Sequence, residues 1–287
     1  MYRRSSGGAF YVLAGSYTED MHPFLFALLA LFLYMCAAFV ISLIRKDNGT
    51  ADIAYGWGFV LLAWITFSLG THSIHGILVS VLATVWAARL SIRIYLRNKG
   101  KPEDFRYRAW REQWGKTFVV RSFLQVYMLQ GSLIFIIALP LTLINLYGPM
   151  VVPGSVPDLV AFVGLLAWLK GFFFETVGDW QLAKFMKNPE NKGKVMDKGL
   201  WRFTRHPNYY GEATMWWGIS LISAASLYLT GSVLLTLAPF IGALTITYLL
   251  LKVSGVPLLE ARFAGNPAWE AYKAKTSVFI PWFPKKA

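Results

Sequence analysis

The stretch Phe24–Ile44, "FLFALLALFLYMCAAFVISLI", holds twenty-one consecutive residues without one charge. A segment of that length and apolarity spans the hydrocarbon of a bilayer, which needs about 20 helical residues. Similar runs recur along the chain. The reading is an all-α, polytopic membrane protein with seven transmembrane helices, at about 23–44, 53–70, 73–97, 119–146, 157–180, 208–228 and 231–255. Residues 1–22 read as an N-terminal extension, disordered or lying on the surface, and residues 23–287 as a single seven-helix domain. Glu19 and Asp20 precede the first run and no small-residue cleavage site follows it, so it does not read as a cleaved signal peptide.

Composition agrees. Of 287 residues, 56% are hydrophobic and only 15% charged, with mean hydropathy +0.46. Soluble domains carry about 25% charged residues. The single cysteine, Cys36, sits inside the apolar run, which excludes an intrachain disulfide framework. The four histidines do not make a zinc site, because His22, His72 and His75 fall toward the opposite membrane face from His206.

The net charge is +13. In seven-span numbering, Arg3 and Arg4 alone fall on one side; the other Lys and Arg residues cluster in the loops and tail of the other. That asymmetry predicts a cytoplasmic location for the charged loops and C-terminus, and an outside N-terminus. The basic stretches at 97–121 and 184–205 exceed what topology requires. They suit either anionic lipid headgroups or a polyanionic soluble ligand; no nucleic-acid partner is expected.

Ionisable residues at membrane depth are expensive and usually functional. Asp52 opens the second span, where Thr50 as an N-cap and the helix dipole would explain it structurally. Tyr95 lies near the end of the third, where an interfacial belt tyrosine is the plain alternative. Glu175 and Asp179, four apart, share a helix face in the fifth. Glu212 is one turn into the sixth, and Glu260 and Arg262 follow the seventh. These positions suggest one polar cavity at the cytoplasmic ends of apolar helices. Within "RFTRHPNYYGE", 202–212, Pro207 fits the first turn of a helix. The free N–H groups of such a helix start, with Arg205 and the upstream lysines, would seat a phosphate. Neither a dinucleotide-binding glycine fingerprint nor a phosphate-binding P-loop occurs in the chain.

"GLWRFTRHPNYYGE" at 199–212, "ETVGDWQLAKF" at 175–185, "WEAYKAKTSVFIPWF" at 269–283 and "YLRNKGKPED" at 95–104 resemble the steroid 5-alpha-reductase family, above all its bacterial members. The resemblance covers about residues 45–283. It implies a seven-helix enzyme of the inner membrane that uses NADPH to reduce the carbon–carbon double bond of an enone such as a 3-keto-4-ene steroid drawn from the bilayer. It implies cofactor-binding roles for Glu175, Asp179, Lys184, Lys187, Arg205, His206, Asn208, Tyr209, Glu212, Glu260 and Arg262. It also implies a catalytic role for Tyr95; Asp52, at the start of the second span, is placed to accept a hydrogen bond from Tyr95 or, if protonated, to donate to the ketone directly. The chain departs from the animal enzymes in lacking a Gln-Glu pair on the second span. A membrane methyltransferase of the isoprenylcysteine type shares an Arg-His-Pro-x-Tyr-x-Gly segment and a Glu-x-Arg after the last helix, and would use S-adenosylmethionine. A sterol-binding scaffold without activity is a third class. Asn208, Glu212, the Glu175/Asp179 pair and the basic 184–205 loop favour a phosphorylated cofactor.

Overall fold

The computed structural model describes residues 8–285, with side chains from residue 23 onward. Residues 1–7, which hold Arg3 and Arg4, lie outside the described residues, as do the side chains of the rest of the expected N-terminal extension. Every regular element among the described residues is helical. Where one domain is expected from sequence, the contacts divide the chain into two compact units, 1–150 and 151–287.

The first unit contains α1 (Gly8–Arg45), α2 (Thr50–Leu69), α3 (Ile74–Asn98), α4 (Phe105–Trp114), α5 (Phe118–Ser122), a π-helix (Phe123–Met128), α6 (Leu129–Ile137) and α7 (Leu139–Tyr147). Helix α1 begins inside the stretch expected as an extension, and its apolar part is Pro23–Arg45. Helix α3 starts where the Ser73 side chain accepts the Gly76 N–H, and α4 where Asp104 accepts the Arg106 N–H. Thr50 is not the cap of α2: it is the first helical residue, and Gly49 precedes it without a side-chain cap. Small residues set the α2–α3 distance, since a Cβ on Gly56 would lie 2.3 Å from Ser91 Oγ, which itself donates to the Ile53 carbonyl. A buried Asn145 on α7 donates to the Ala63 carbonyl, Thr66 Oγ1 and Ser80 Oγ, joining α2, α3 and α7 where no water could take those bonds.

The second unit contains α8 (Val156–Lys187), α9 (Pro207–Leu227), α10 (Val233–Leu237), α11 (Pro239–Tyr248), a π-helix (Leu249–Val253), α12 (Val256–Glu260) and α13 (Pro267–Lys275). Its backbone is an antiparallel α8–α9 pair. Gly164, Gly171 and Gly178 repeat every seven residues on α8, and Gly211 and Gly218 do so on α9. Seven residues are nearly two full turns, so each set lies on one face. A Cβ on Gly171 would sit 2.5 Å from the Gly211 carbonyl oxygen, and one on Gly218 would sit 2.5 Å from that of Gly164. The helices therefore touch backbone to backbone, the usual solution where no hydrophobic drive exists between helices in lipid. Beyond Gly178 the seam closes on the ring of Pro207, 3.1 Å from where a Cβ would stand.

Among the described residues six helices are long and apolar enough to cross a membrane: Pro23–Arg45, Thr50–Leu69, Ile74–Asn98, Phe105–Ile137, Val156–Lys187 and Val233–Phe263. The protein is thus an all-helical membrane protein. The expected span at 208–228 corresponds to α9. It has the length, but Asn208, Glu212, Thr214, Ser220, Ser223 and Ser226 hold its hydropathy below that of the six. The span expected at 119–146 is broken at Ala138, just before Pro140, and that at 231–255 is divided by Pro239 and the π-helix.

The seam makes a graded prediction. Gly171→Ala must separate two backbones, whereas Gly178→Ala meets a proline ring at 3.1 Å and the Asn208 backbone nitrogen only at 3.4 Å. Gly171→Ala should cost about 1–3 kcal/mol, with a clearly smaller loss for Gly178→Ala. Thermal unfolding of both variants in detergent, followed by intrinsic fluorescence, checks the order.

Candidate functional site

The glycine seam brings chemistry to the helix ends. Glu175 stands opposite Gly211, close enough that a Cβ there would fall 2.9 Å from its own Cβ. Asp179 follows one turn later, beside Gly178 and Pro207. Both carboxyl-bearing side chains are 3% exposed. Glu212 follows Gly211 on α9 and is half-buried. The expected shared face of Glu175 and Asp179 is therefore the one that meets α9.

Just before α9, the segment 199–206 is tied down from both sides. The Trp201 indole donates to the Gly178 carbonyl, and Gln181 accepts the Leu200 N–H. The Tyr272 hydroxyl donates to the Trp201 carbonyl. Arg205 is buried. Its Nε donates to Glu260 Oε1 at 2.9 Å, and its Nη1 to the carbonyls of Thr276 and Lys273 at 2.8 and 3.2 Å. The same Glu260 oxygen lies 2.9 Å from His206 Nε2. Arg205, predicted from sequence as a phosphate cation, thus spends its guanidinium on Glu260 and on the C-terminal segment, and Glu260, expected at a cofactor, serves as the shared acceptor. His206 is fully buried, with the Tyr209 ring stacked on it at 5.4 Å. Burial pushes its imidazole below the usual range, against the opposing pull of Glu260. A neutral ring that donates through Nε2 leaves Nδ1 as an acceptor; that atom is buried and makes no hydrogen bond among the described residues, and the same holds for Asn208 Oδ1.

A cavity of about 640 Å3 opens beside this cluster in the same unit. Phe185, Trp201, Phe263 and Trp269 supply aromatic wall, and Asn188, Asn191 and Asn266 supply amides. Lys187, Lys192, Lys194 and Arg262 supply charge, and no carboxylate lines it. Of the residues predicted from sequence, Lys187 and Arg262 line this cavity. Lys184 lies outside the lining, with its ammonium 5.3 Å from the Trp180 ring. The aromatic walls went unpredicted, because a tryptophan near a span end reads as an interface residue.

In the first unit, Asp52 is not partnered by Tyr95. Its Oδ1 accepts the Tyr107 hydroxyl at 2.6 Å and its Oδ2 accepts Arg106 Nη2 at 3.0 Å. The reason is geometric: α4, capped by Asp104, folds back and places Tyr107 and Arg106 on the first turn of α2. Tyr95 is 44% exposed near the end of α3. Nearby, Glu103 accepts Arg111 and the Asn48 N–H, which holds its carboxyl below the usual range despite burial. Tyr107 was missed in the sequence; its only signal was its place in "FRYRAW", an aromatic between two arginines.

A family model described as a protein of unknown function, DUF1295, matches residues 38–276. The chain belongs to the DUF1295 family. No curated protein and no solved structure matches it. The DUF1295 match covers every candidate site residue named above.

Two outcomes follow from this geometry. Folded His206 holds its proton less tightly than the unfolded chain does, so this residue favours folding at high pH. Its contribution should fade as pH falls through about 6.5. His206→Gln, which can still donate to Glu260, should flatten the dependence of the melting temperature on pH between about 7.5 and 5.5. Separately, Tyr107→Phe leaves the half-buried Asp52 carboxylate short of a donor and should cost about 1 kcal/mol. Tyr95→Phe should leave the melting temperature nearly unchanged. Thermal scans of the three variants decide both.

Proposed function

We propose that this protein is an NADPH-dependent reductase acting on the carbon–carbon double bond of an enone lipid, of which a 3-keto-4-ene steroid is the model substrate. The observation that carries the reading is the cavity beside α8, with four cations, aromatic walls and no lining carboxylate. Its volume falls within the range of about 300–1,000 Å3 usual for small-molecule sites. A dinucleotide with several phosphate charges suits Lys187, Lys192, Lys194 and Arg262, and its adenine suits rings such as Trp201 and Trp269. The buried acceptors His206 Nδ1 and Asn208 Oδ1 suit amide or hydroxyl donors of the same ligand. The sulfonium of S-adenosylmethionine suits a lining this rich in Lys and Arg less well than phosphates do, which makes methyl transfer the weaker reading. The resemblance to steroid 5-alpha-reductases supports the same choice.

When bound, NADPH supplies hydride to the β-carbon of the enone, and a proton completes the saturated ketone. The chain contributes binding and orientation through the residues above. The developing negative charge on the ketone oxygen calls for a donor, and Tyr95 is the candidate, since the Tyr107 hydroxyl is committed to Asp52. In this proposal α9 counts as a seventh span, the basic helix ends face the cytoplasm across a bacterial inner membrane, and the substrate enters a monomeric enzyme from the bilayer.

Purified protein in detergent should oxidise NADPH in the presence of a 3-keto-4-ene steroid and yield a product heavier by two hydrogens. Lys187→Gln with Arg262→Gln should weaken NADPH binding at least about tenfold, given about 1.5–3 kcal/mol per charged hydrogen bond. Tyr95→Phe should keep NADPH binding and slow single-turnover oxidation about 10²–10³-fold. Methylation from S-adenosylmethionine without NADPH oxidation would replace this reading with its rival.

A further inference from the structure

Residues 277–285 form a strap without helix, bent at 278–280, in which exposure alternates from Ser277 to Trp282. Phe279 faces the protein, its ring 5.9 Å from that of Tyr210, and its carbonyl accepts Thr204 Oγ1 at 2.8 Å. Val278, Ile280 and Trp282 point away, the latter two 65% and 71% exposed, and Phe283 beside them is 76% exposed. The backbone is fixed: the Arg205 N–H donates to the Ser277 carbonyl, the Trp282 N–H to that of Phe203, and the Lys285 N–H to that of Lys275. A row of large apolar side chains held rigidly outward is costly in water, at about 25 cal/mol for each Å2 of apolar surface exposed. Something apolar covers it.

The fold sets its depth. The strap hangs on 203–206, and that segment hangs on Gly178 of α8 through the Trp201 indole. Gly178 lies twenty-two residues beyond the first residue of α8, Val156, an axial rise of about 33 Å. The hydrocarbon of a bilayer is about 30 Å thick. The strap therefore lies one hydrocarbon thickness along α8, level with the boundary where tryptophan and other aromatics partition. Lys273, Lys275 and Lys285 flank it, and lysines on an interfacial segment meet anionic headgroups.

We propose that the strap is an interfacial anchor, with Ile280, Trp282 and Phe283 inserted among the lipids at the headgroup–acyl boundary. Its partner is the lipid surface. The anchor bears on the candidate site, because the carbonyls of Lys273 and Thr276 that hold Arg205 stand at the root of the strap.

The test needs no activity. In a Cys36→Ala background, Ile280→Cys and Phe283→Cys are each labelled with a bimane fluorophore and placed in phosphatidylglycerol-containing nanodiscs. Lys194→Cys serves as a water-facing control. Doxyl groups high on the lipid acyl chain should quench both strap labels several-fold more than the control, and aqueous iodide several-fold less. Quenching by iodide without quenching by lipid would place the strap in water and overturn the proposal. Shielding from both quenchers would mean that a protein surface, such as a second copy, covers it, and would overturn it equally.

Discussion

The second unit depends on one close approach, the backbone contact between α8 and α9 at their seven-spaced glycines. Two helices in lipid gain nothing from hiding leucines from water. They gain from dispersion over many short contacts, and only glycine allows the carbonyls of one helix to reach the other. Once that contact exists, its register is not adjustable. Glu175 meets Gly211, Gly178 meets Pro207, and the first turn of α9 stands at the level where α8 becomes polar. The buried carboxyl side chains of Glu175 and Asp179 are tolerable because this register delivers them to the polar mouth of the pair.

The second constraint is the shared oxygen of Glu260. A buried guanidinium and a buried imidazole converge on it, and Nη1 of Arg205 reaches two main-chain carbonyls. Burying charge is costly unless it is paired and hydrogen-bonded, and here the pairing is built from three separate segments. His206 favours its neutral form chiefly because burial desolvates it; Glu260 opposes that and the nearby Arg205 charge adds to it. The lysines that line the cavity lie instead at the exposed end of α8 and on the loop after it, with Arg262 beside them.

The apolar runs and Pro207 were legible because they are local signals: run length and a residue type that fits one helical position. The α8 carboxyl side chains were legible as a pair because four-residue spacing is a helical rule. The Arg205–Glu260 pair was not, since its members are 55 residues apart and each had a plausible local role. Tyr107 escaped for the same reason: its partner Asp52 belongs to a different helix, and only the return of α4 joins them. Tyr95 has the residue type and position that the resemblance asks for, yet the side chain nearest to Asp52 is another tyrosine. The aromatic lining of the cavity comes from four segments, none distinctive alone.

The sequence distance between Arg205 and its acceptors also sets an order of events during biosynthesis. The α8–α9 hairpin is joined by residues 188–206 and can close as soon as both helices have left the ribosome. Arg205 is made with that hairpin, but Glu260 follows 55 residues later and Thr276 another sixteen after that. For that interval, several seconds at about 5–20 residues per second, the guanidinium must stay hydrated at the membrane surface. Its burial is a late event, completed by the last helix and strap, so the hairpin can insert before the Arg205 charge has to leave water.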